Sequence, residues 1–294
     1  MNPDPGILKL LGVDADETSI SPSGRGGCSS ATTSEMYHGS TMASKRREHA
    51  SLQALHNVVP SICPRSFGHP SVSFLAIEFL HLTSRSTSKS RTAKSLATKL
   101  AKLHTTPAPV PVGYDKPAFV FLVTTFCGDT PQRDTFKESW VDFYAKNLLM
   151  FILGRAETKH GKDKDLRTLV ENTAYKIAPQ IIGDMHLNSG DGVAPVVVHG
   201  DLWSGNAGTR VIGNIKGEPE DVTYDPSACY AHSEYDLGAM KMFGGFNASF
   251  IKEYHELCPR TESVHEYEDR VSLYELYHHR NHYAMFGGDI AVAL

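Results

Sequence analysis

The sequence predicts an α+β chain with a small, β-rich N-terminal lobe and a larger, mainly helical C-terminal lobe. Three observations carry that expectation. Short apolar runs at 72–82, 194–198 and 221–224 read as buried strands. Apolar residues recur at helical spacing over 47–58, 96–103, 136–157, 166–182 and 271–286. Between the two groups, Pro107, Pro109, Pro111 and Pro117 mark a connector.

Taken in chain order, 19–33 is rich in Ser and Gly. Its Gly24, Gly26 and Gly27 predict a flexible turn that approaches a ligand closely. The helix over 47–58 follows, with Ala50, Leu52, Ala54 and Leu55 on its apolar face. The strand over 72–82 leads into a Ser/Thr/Lys-rich stretch, 83–95, expected to be an exposed loop, and then into the helix at 96–103. The proline segment reads as a hinge. The expected division is 1–82 for the N-terminal lobe, 83–117 for loop, helix and connector, and 118–294 for the C-terminal lobe.

The 294 residues suffice for one large domain or for two lobes sharing a cleft. The hydrophobic fraction is 40% and the charged fraction 21%, as in ordinary globular chains. A net charge of -4 supplies no positive field for nucleic acid or an anionic membrane, and neither is expected as a partner. Five cysteines (Cys28, Cys63, Cys127, Cys229 and Cys258) are scattered without a CxxC pair. That odd, dispersed set predicts a reducing compartment, the cytoplasm. The first ten residues lack the basic and apolar regions of a signal peptide, and no apolar run is long enough for a membrane span.

The chemistry concentrates in one run, Val196-Val197-Val198-His199-Gly200-Asp201-Leu202-Trp203-Ser204-Gly205-Asn206. A buried strand delivers the chain to a turn at Gly200, which presents Asp201 at the strand end. Asp201 is placed to accept a proton from a hydroxyl that attacks a phosphoryl group. Asn206 can offer its side-chain carbonyl to a divalent metal, and Asp225, at the end of the next strand, can bridge that metal to phosphates. Phosphoryl transfer needs positioning, charge neutralisation and a base, and this ordered set supplies those parts. Either residue alone could simply cap a turn.

His199-Gly200-Asp201 with Asn206 and Asp225 resembles the phosphotransferases of the protein-kinase-like fold, which include aminoglycoside and choline kinases. The longer string His-Gly-Asp-Leu-Trp-Ser-Gly-Asn at 199–206 is narrower. So are Tyr224-Asp225-Pro226-Ser227, Tyr230-Ala231-His232-Ser233-Glu234-Tyr235-Asp236 and Met242-Phe243-Gly244-Gly245-Phe246. With Phe126-Cys127-Gly128-Asp129-Thr130-Pro131-Gln132 and Trp140, they resemble the fructosamine/ketosamine-3-kinase family. The resemblance runs over about 47–287. It implies a two-lobed protein-kinase-like fold and phosphorylation of the 3-hydroxyl of ketosamines by ATP with Mg²⁺. The substrates would be free ketosamines or ketosamine-modified proteins, whose phosphorylated adducts release the free amine. Ribulosamines are the first substrates to consider.

By position, the resemblance makes Asp201 the catalytic base and Asn206 and Asp225 the metal ligands. Gly26 and Gly27 would belong to the nucleotide loop, and Glu78-Phe79-Leu80 would be the connector whose backbone reads adenine. Glu48 would be the helix glutamate that pairs with the phosphate-binding lysine. His199, Trp203, His232, Glu234 and Asp236 would lie near the substrate or support the catalytic loop.

The sequence also departs from that pattern. Between Ser21 and Glu48 the only lysine is Lys45, flanked by Arg46 and Arg47 with no β-rich run around it. The strand that would carry the phosphate-binding lysine is missing, and 289–294 stops short of the closing helix the resemblance implies. A catalytically impaired kinase-shaped protein, an incomplete gene product and a kinase for another small hydroxyl compound are therefore alternatives. Three further residues or pairs have two readings each. His278 and His282, four apart on a helix, could face one Zn²⁺ but fit packing beside the cleft better. Cys28 is a redox-sensitive loop thiol or a small packing residue. Trp203 is a sugar wall or a core anchor.

Overall fold

The computed structural model describes residues 5–12, 14, 35–36, 42–67, 75–78, 80–83, 94–111, 113–120, 123–211 and 219–288. Gly26, Gly27, Cys28, Phe79 and most of the 83–95 loop lie outside them. Among the described residues the chain runs α1 (Pro5–Leu11), β1 (Glu35–Met36), α2 (Met42–Val58), β2 (Ser66–Phe67), β3 (Ala76–Ile77), β4 (His81–Thr83) and α3 (Leu96–Thr105). Then come β5 (Phe126–Cys127), β6 (Thr130–Pro131), α4 (Trp140–Asp142), α5 (Met150–His160), α6 (Lys164–Asn172) and α7 (Ala178–Ile181). The last part holds β7 (Val196–Val198), β8 (Ala207–Val211), β9 (Pro219–Thr223), β10 (Cys229–Ala231), α8 (Tyr235–Phe243), α9 (Ala248–Leu257) and α10 (Tyr267–Phe286). Helices predominate and the strands are short, so the α+β expectation holds. No described helix is long and apolar enough to cross a membrane.

The strand expected over 72–82 is two strands. β3 pairs antiparallel with β1 and β2, whereas β4 pairs with β8, which in turn pairs with β9. The chain leaves one sheet and joins another between Ile77 and His81, which is why an unbroken strand does not form. A buried ion network fixes this crossing. Arg210 on β8 contacts Glu78 at 2.9 Å and Glu220 at 2.9 Å, and Lys99 of α3 meets Glu220 at 3.0 Å. Lys99 Nζ also donates to the carbonyls of Ser61 and Asp221, each at 2.7 Å. Such a network is costly to desolvate, and removing one partner would strand the others in a dry interior.

The helix expected at 136–157 begins at Trp140, after a Ser139 cap, and passes through a π-helical stretch, Phe143–Leu149, into α5. The 166–182 helix is similarly interrupted, at Thr173–Ile177. The proline segment is pinned rather than loose. Ala108 N donates to Pro195 O at 2.8 Å, and Pro107 bridges to Val196.

Trp140 is fully buried and organises the core of the helical part. Phe119, Phe143, Tyr144, Tyr235, Tyr274 and His232 surround it, with ring centroids between 5.4 and 6.3 Å away. Its indole Nε1 donates to Tyr274 Oη at 2.8 Å, satisfying the one polar atom of a buried tryptophan. α8 crosses α10 at Gly238. A Cβ there would lie 2.5 Å from the Tyr274 carbonyl carbon and 2.6 Å from Glu275 N. Backbone cannot yield as a side chain can, so Gly238→Ala should cost about 1–3 kcal/mol or more. Gly154→Ala on α5, where nothing lies within 4 Å, should instead be neutral or stabilise by up to ~1 kcal/mol. Urea denaturation midpoints of the two variants check the pair, and equal midpoints would refute the packing argument.

Candidate active site

β7 is three valines, all buried, paired antiparallel with β10. Immediately after it Gly200 turns the chain with φ +80°, and a Cβ there would fall 2.0 Å from Ser227 O. Only glycine meets both conditions. The turn is held from behind by Asp236, on the first turn of α8. Its Oδ2 accepts from His199 N and its Oδ1 from Gly200 N, both at 2.8 Å. His104 Nε2 donates to the same carboxylate at 3.1 Å, and His104 Nδ1 is hydrogen-bonded to Tyr254 Oη at 2.8 Å. Asp236 is wholly buried, yet these donors hold its carboxyl below the usual range against the opposing effect of burial.

Asp201 therefore emerges on a fixed backbone. Its N–H donates to His199 Nδ1 at 3.3 Å, while His199 Nε2 donates to Tyr224 O at 3.1 Å. Those bonds define one neutral tautomer, and burial pushes the His199 pKa down, in keeping with it. Asn206 Nδ2 donates to Asp201 O at 2.9 Å and to Asp201 Oδ2 at 3.3 Å. Tyr224 N donates to Asn206 O at 3.0 Å, so the loop and the end of β9 are tied together. Asp225 follows with φ +58°, a left-handed conformation that costs a non-glycine residue energy and recurs at functional turns.

Three carboxylates share this region. Desolvation first, then the charge of Asp225, raises the Asp201 pKa to about 6 and that of Glu48 to about 7. Glu48 lies on α2, as expected, and so does Lys45. Among the described residues no cation is paired with Glu48. In donor chemistry these oxygens, short of positive charge, suit a hard divalent cation such as Mg²⁺, although the three carboxylates do not all come within 4.8 Å of one another. Asn206 suits such a cation too, because its amide nitrogen is spent on Asp201 and its side-chain carbonyl is a neutral oxygen donor.

The remaining expected residues are placed as follows. Glu78 N donates to Arg65 O at 2.8 Å, and its carboxylate meets Arg210 and Arg65 N. Leu80 is buried. His232, Glu234 and Asp236 face inward, with exposures of 1%, 2% and 0%, so they are positioned to support the loop rather than to touch a substrate. His232 Nδ1 bonds Tyr274 Oη at 2.7 Å and its Nε2 bonds Thr261 Oγ1 at 2.8 Å. Glu234 is clamped by Arg270, whose Nε and Nη2 donate at 2.7 and 3.2 Å and which also binds the carbonyls of Thr261 and Ser263. Trp203 is only partly buried and lies against Gly205. Its ring leads an aromatic row on the surface: Phe243 at 5.0 Å, then His282 at 6.5 Å from Phe243, then Phe286 at 4.6 Å from His282.

Sequence reasoning did not assign Phe243 or His282 to this row, nor Cys127 to the neighbourhood of Asp201. The helical period of α10 was the only available signal for His282. His278 and His282 do not converge on one metal, since His278 turns toward Cys127 and Asp201 while His282 stacks in the aromatic row. A separate cleft of about 500 Å³ is lined by Arg133, Lys146, Arg155 and Lys159 among others and contains none of the Asp201 set.

With this geometry, comparisons with known proteins are informative. A family model described as fructosamine kinase matches residues 35–293. A ketosamine-3-kinase of Mus musculus is 36% identical over 169 residues, covering 58% of this chain and 49% of the mouse protein. A chloroplastic protein-ribulosamine 3-kinase of Oryza sativa subsp. japonica is 33% identical over 216 residues, covering 73% of this chain and 55% of the rice protein. The chain thus spans about half the length of the curated relatives it matches. Two crystal structures share the fold. One is a protein assigned as a fructosamine-3-kinase from Thermobifida fusca YX-ER1, at TM-score 0.66, 24% identity and coverage of 83% and 75%. The other, assigned likewise, is from Haemophilus somnus 129PT, at TM-score 0.64, 21% identity and coverage of 88% and 79%. The fold is therefore protein-kinase-like.

The anchoring role of Asp236 can be tested directly. Asp236→Asn turns one acceptor into a donor facing a backbone N–H, at a cost of about 2–3 kcal/mol. The urea midpoint should fall accordingly, and the Gly200 amide should exchange with solvent faster. An unchanged midpoint with an unchanged amide would remove Asp236 from this role.

Proposed function

The chain belongs to the fructosamine kinase family, and from that premise we propose that it transfers the γ-phosphoryl group of ATP to the 3-hydroxyl of a ketosamine. The observation that carries the reading is the joint placement of Asp201, Asn206 and Asp225 at the ends of β7 and β9, with the Asp201 carboxyl poised near neutrality. A general base works best with a pKa near the operating pH. Asp201 takes the proton of the sugar hydroxyl as the new O–P bond forms and the P–O bond to ADP breaks. Asn206 and Asp225 would hold Mg²⁺, which supplies charge neutralisation between the β- and γ-phosphates. His199 and Asp236 keep the loop rigid, so that the Asp201 oxygen meets the hydroxyl without reorganisation.

The aromatic row from Trp203 suits the apolar C–H face of a sugar. Because it lies on the surface, it leaves the amine end room to be a protein side chain. Ribulosamines and fructosamines are both substrates under this reading, and release of the amine after phosphorylation would make the reaction a deglycation. The four described cysteines are unpaired, which fits a reducing compartment such as the cytoplasm. Two observations favour a second reading, an impaired kinase. Lys45 is carried by a helix rather than a strand, and Glu48 lacks a described cation.

ADP release with ATP, Mg²⁺ and a ribulosamine tests the proposal. Turnover should rise with pH through about 6 as Asp201 ionises, and Asp201→Asn should lower it by about 10²–10⁴-fold. The same substitution should stabilise the fold. A native pKa raised from 3.8 to about 6 means that the native state holds its proton more tightly, so stability is full below pH ~4 and is lost as pH rises through 6. Removing the buried charge should therefore recover on the order of 1–3 kcal/mol at neutral pH. Turnover surviving in Asp201→Asn would sink the base assignment. Absence of turnover, with Mg²⁺-ATP still raising Tm by binding the native state, would favour the impaired kinase.

A further inference from the structure

Beside Asp201 lie two further donors, Cys127 and His278, that the phosphoryl-transfer reading does not use. Cys127 ends β5, and His278 lies in the middle of α10, 151 positions away. One ligand atom each from Cys127, Asp201 and His278 lies within 4.8 Å of the other two. Cys127 and His278 are 3% and 4% exposed, whereas Asp201 is only half-buried and opens the set to solvent.

A second, independent observation concerns the imidazole. His278 Nε2 is buried and has no hydrogen-bond partner among the described residues. An unmet buried nitrogen costs about 1–3 kcal/mol, and native proteins rarely keep one without a use for it. Burial keeps this ring neutral, so its lone pair is available. From the next turn of α10, Asn281 Nδ2 donates to Cys127 Sγ and to Cys127 O, each at 3.2 Å. That bond orients the sulfur, as outer partners do around metal ligands, while burial first, then the charge of Asp201 and a hydrogen bond to it, hold the Cys127 thiol protonated until a cation displaces the proton.

We propose that Cys127, Asp201 and His278 form a binding site for a thiophilic divalent cation such as Zn²⁺, whose occupancy withdraws Asp201 from catalysis. The inhibitory half rests on the kinase reading; the binding half does not. One sulfur, one imidazole nitrogen and one carboxylate oxygen form a zinc-type donor set, while Mg²⁺ prefers oxygen alone and stays with Asn206 and Asp225. Ligand atoms around tetrahedral Zn²⁺ lie about 3.5 Å apart, so a trio already within 4.8 Å needs only a small closure. Binding expels the thiol proton to solvent. Thiolate and carboxylate then balance the two charges of the ion, and water takes the fourth position.

The test uses the full chain and readouts that do not depend on kinase activity. Co²⁺ is the spectroscopic probe, with Zn²⁺ in competition. One equivalent of Co²⁺ should produce a thiolate-to-cobalt charge-transfer band that Zn²⁺ abolishes. Cys127→Ser should eliminate the band, and His278→Asn, which keeps size and polarity, should weaken Zn²⁺ binding by at least about tenfold. Thermal melts of both variants confirm that they fold. Wild-type turnover should be inhibited by Zn²⁺, and that of His278→Asn should resist it. No band, or Zn²⁺ affinity unchanged in both folded variants, overturns the site. A band in a chain without turnover upholds the site and defeats the kinase reading instead. Turnover that Zn²⁺ does not inhibit despite an intact band overturns the inhibitory half.

Discussion

The buried carboxylate of Asp236 is the constraint on which the loop carrying Asp201 depends. It joins three parts of the chain: α8, which carries it; the turn after β7, whose two N–H groups it accepts; and α3, through His104. His104 extends the link to α9 through Tyr254. A charge in a dry interior must be fully hydrogen-bonded to be tolerated, and this requirement fixes distances among all four elements at once. Gly200 is the counterpart of that constraint, since the strand can turn toward Asp236 only where no Cβ intrudes on Ser227. Asp201 inherits its position from these two residues and adds little of its own.

The chain accepts electrostatic costs on both sides of this anchor. Below it, Glu78, Arg210, Glu220 and Lys99 bury a chain of alternating charges where the polypeptide passes between sheets. An apolar replacement could be as stable, so the gain lies in specificity. The fork of Arg210 accepts only one relative placement of the crossing and of the β8–β9 pair. Above it, Asp201, Glu48 and Asp225 are left short of positive charge, a strain that a bound cation would relieve. The networks differ in purpose: one is closed by its own residues and the other is open to a ligand.

The grouping of Asp201, Asn206 and Asp225 could be located in the sequence because its information is local. A valine run, a glycine and an aspartate describe a strand end, and Asn206 follows within one loop. The positions of α2, α3, β7 and α10 also followed from periodicity and apolar runs. What could not be read depended on partners distant in sequence. The 72–82 run is apolar throughout, and nothing in it says that its halves pair with different strands. Asp236 lies 37 positions after His199, and without the fold its carboxylate looks like any helix N-terminal acid. Cys127 and His278 meet only because the fold brings α10 to β5, where Asn281 also donates to Cys127.

The aromatic row has an optical consequence. The chain contains two tryptophans. Trp140 is sealed in the core with its N–H satisfied, so its emission is blue-shifted and indifferent to whatever enters the cleft. Trp203, two residues beyond Asp201, is partly open, rests on Gly205 and stacks toward Phe243. The molecule thus carries an internal reference and a sensor in the same spectrum, and the red edge of its fluorescence reports on the mouth of the site alone.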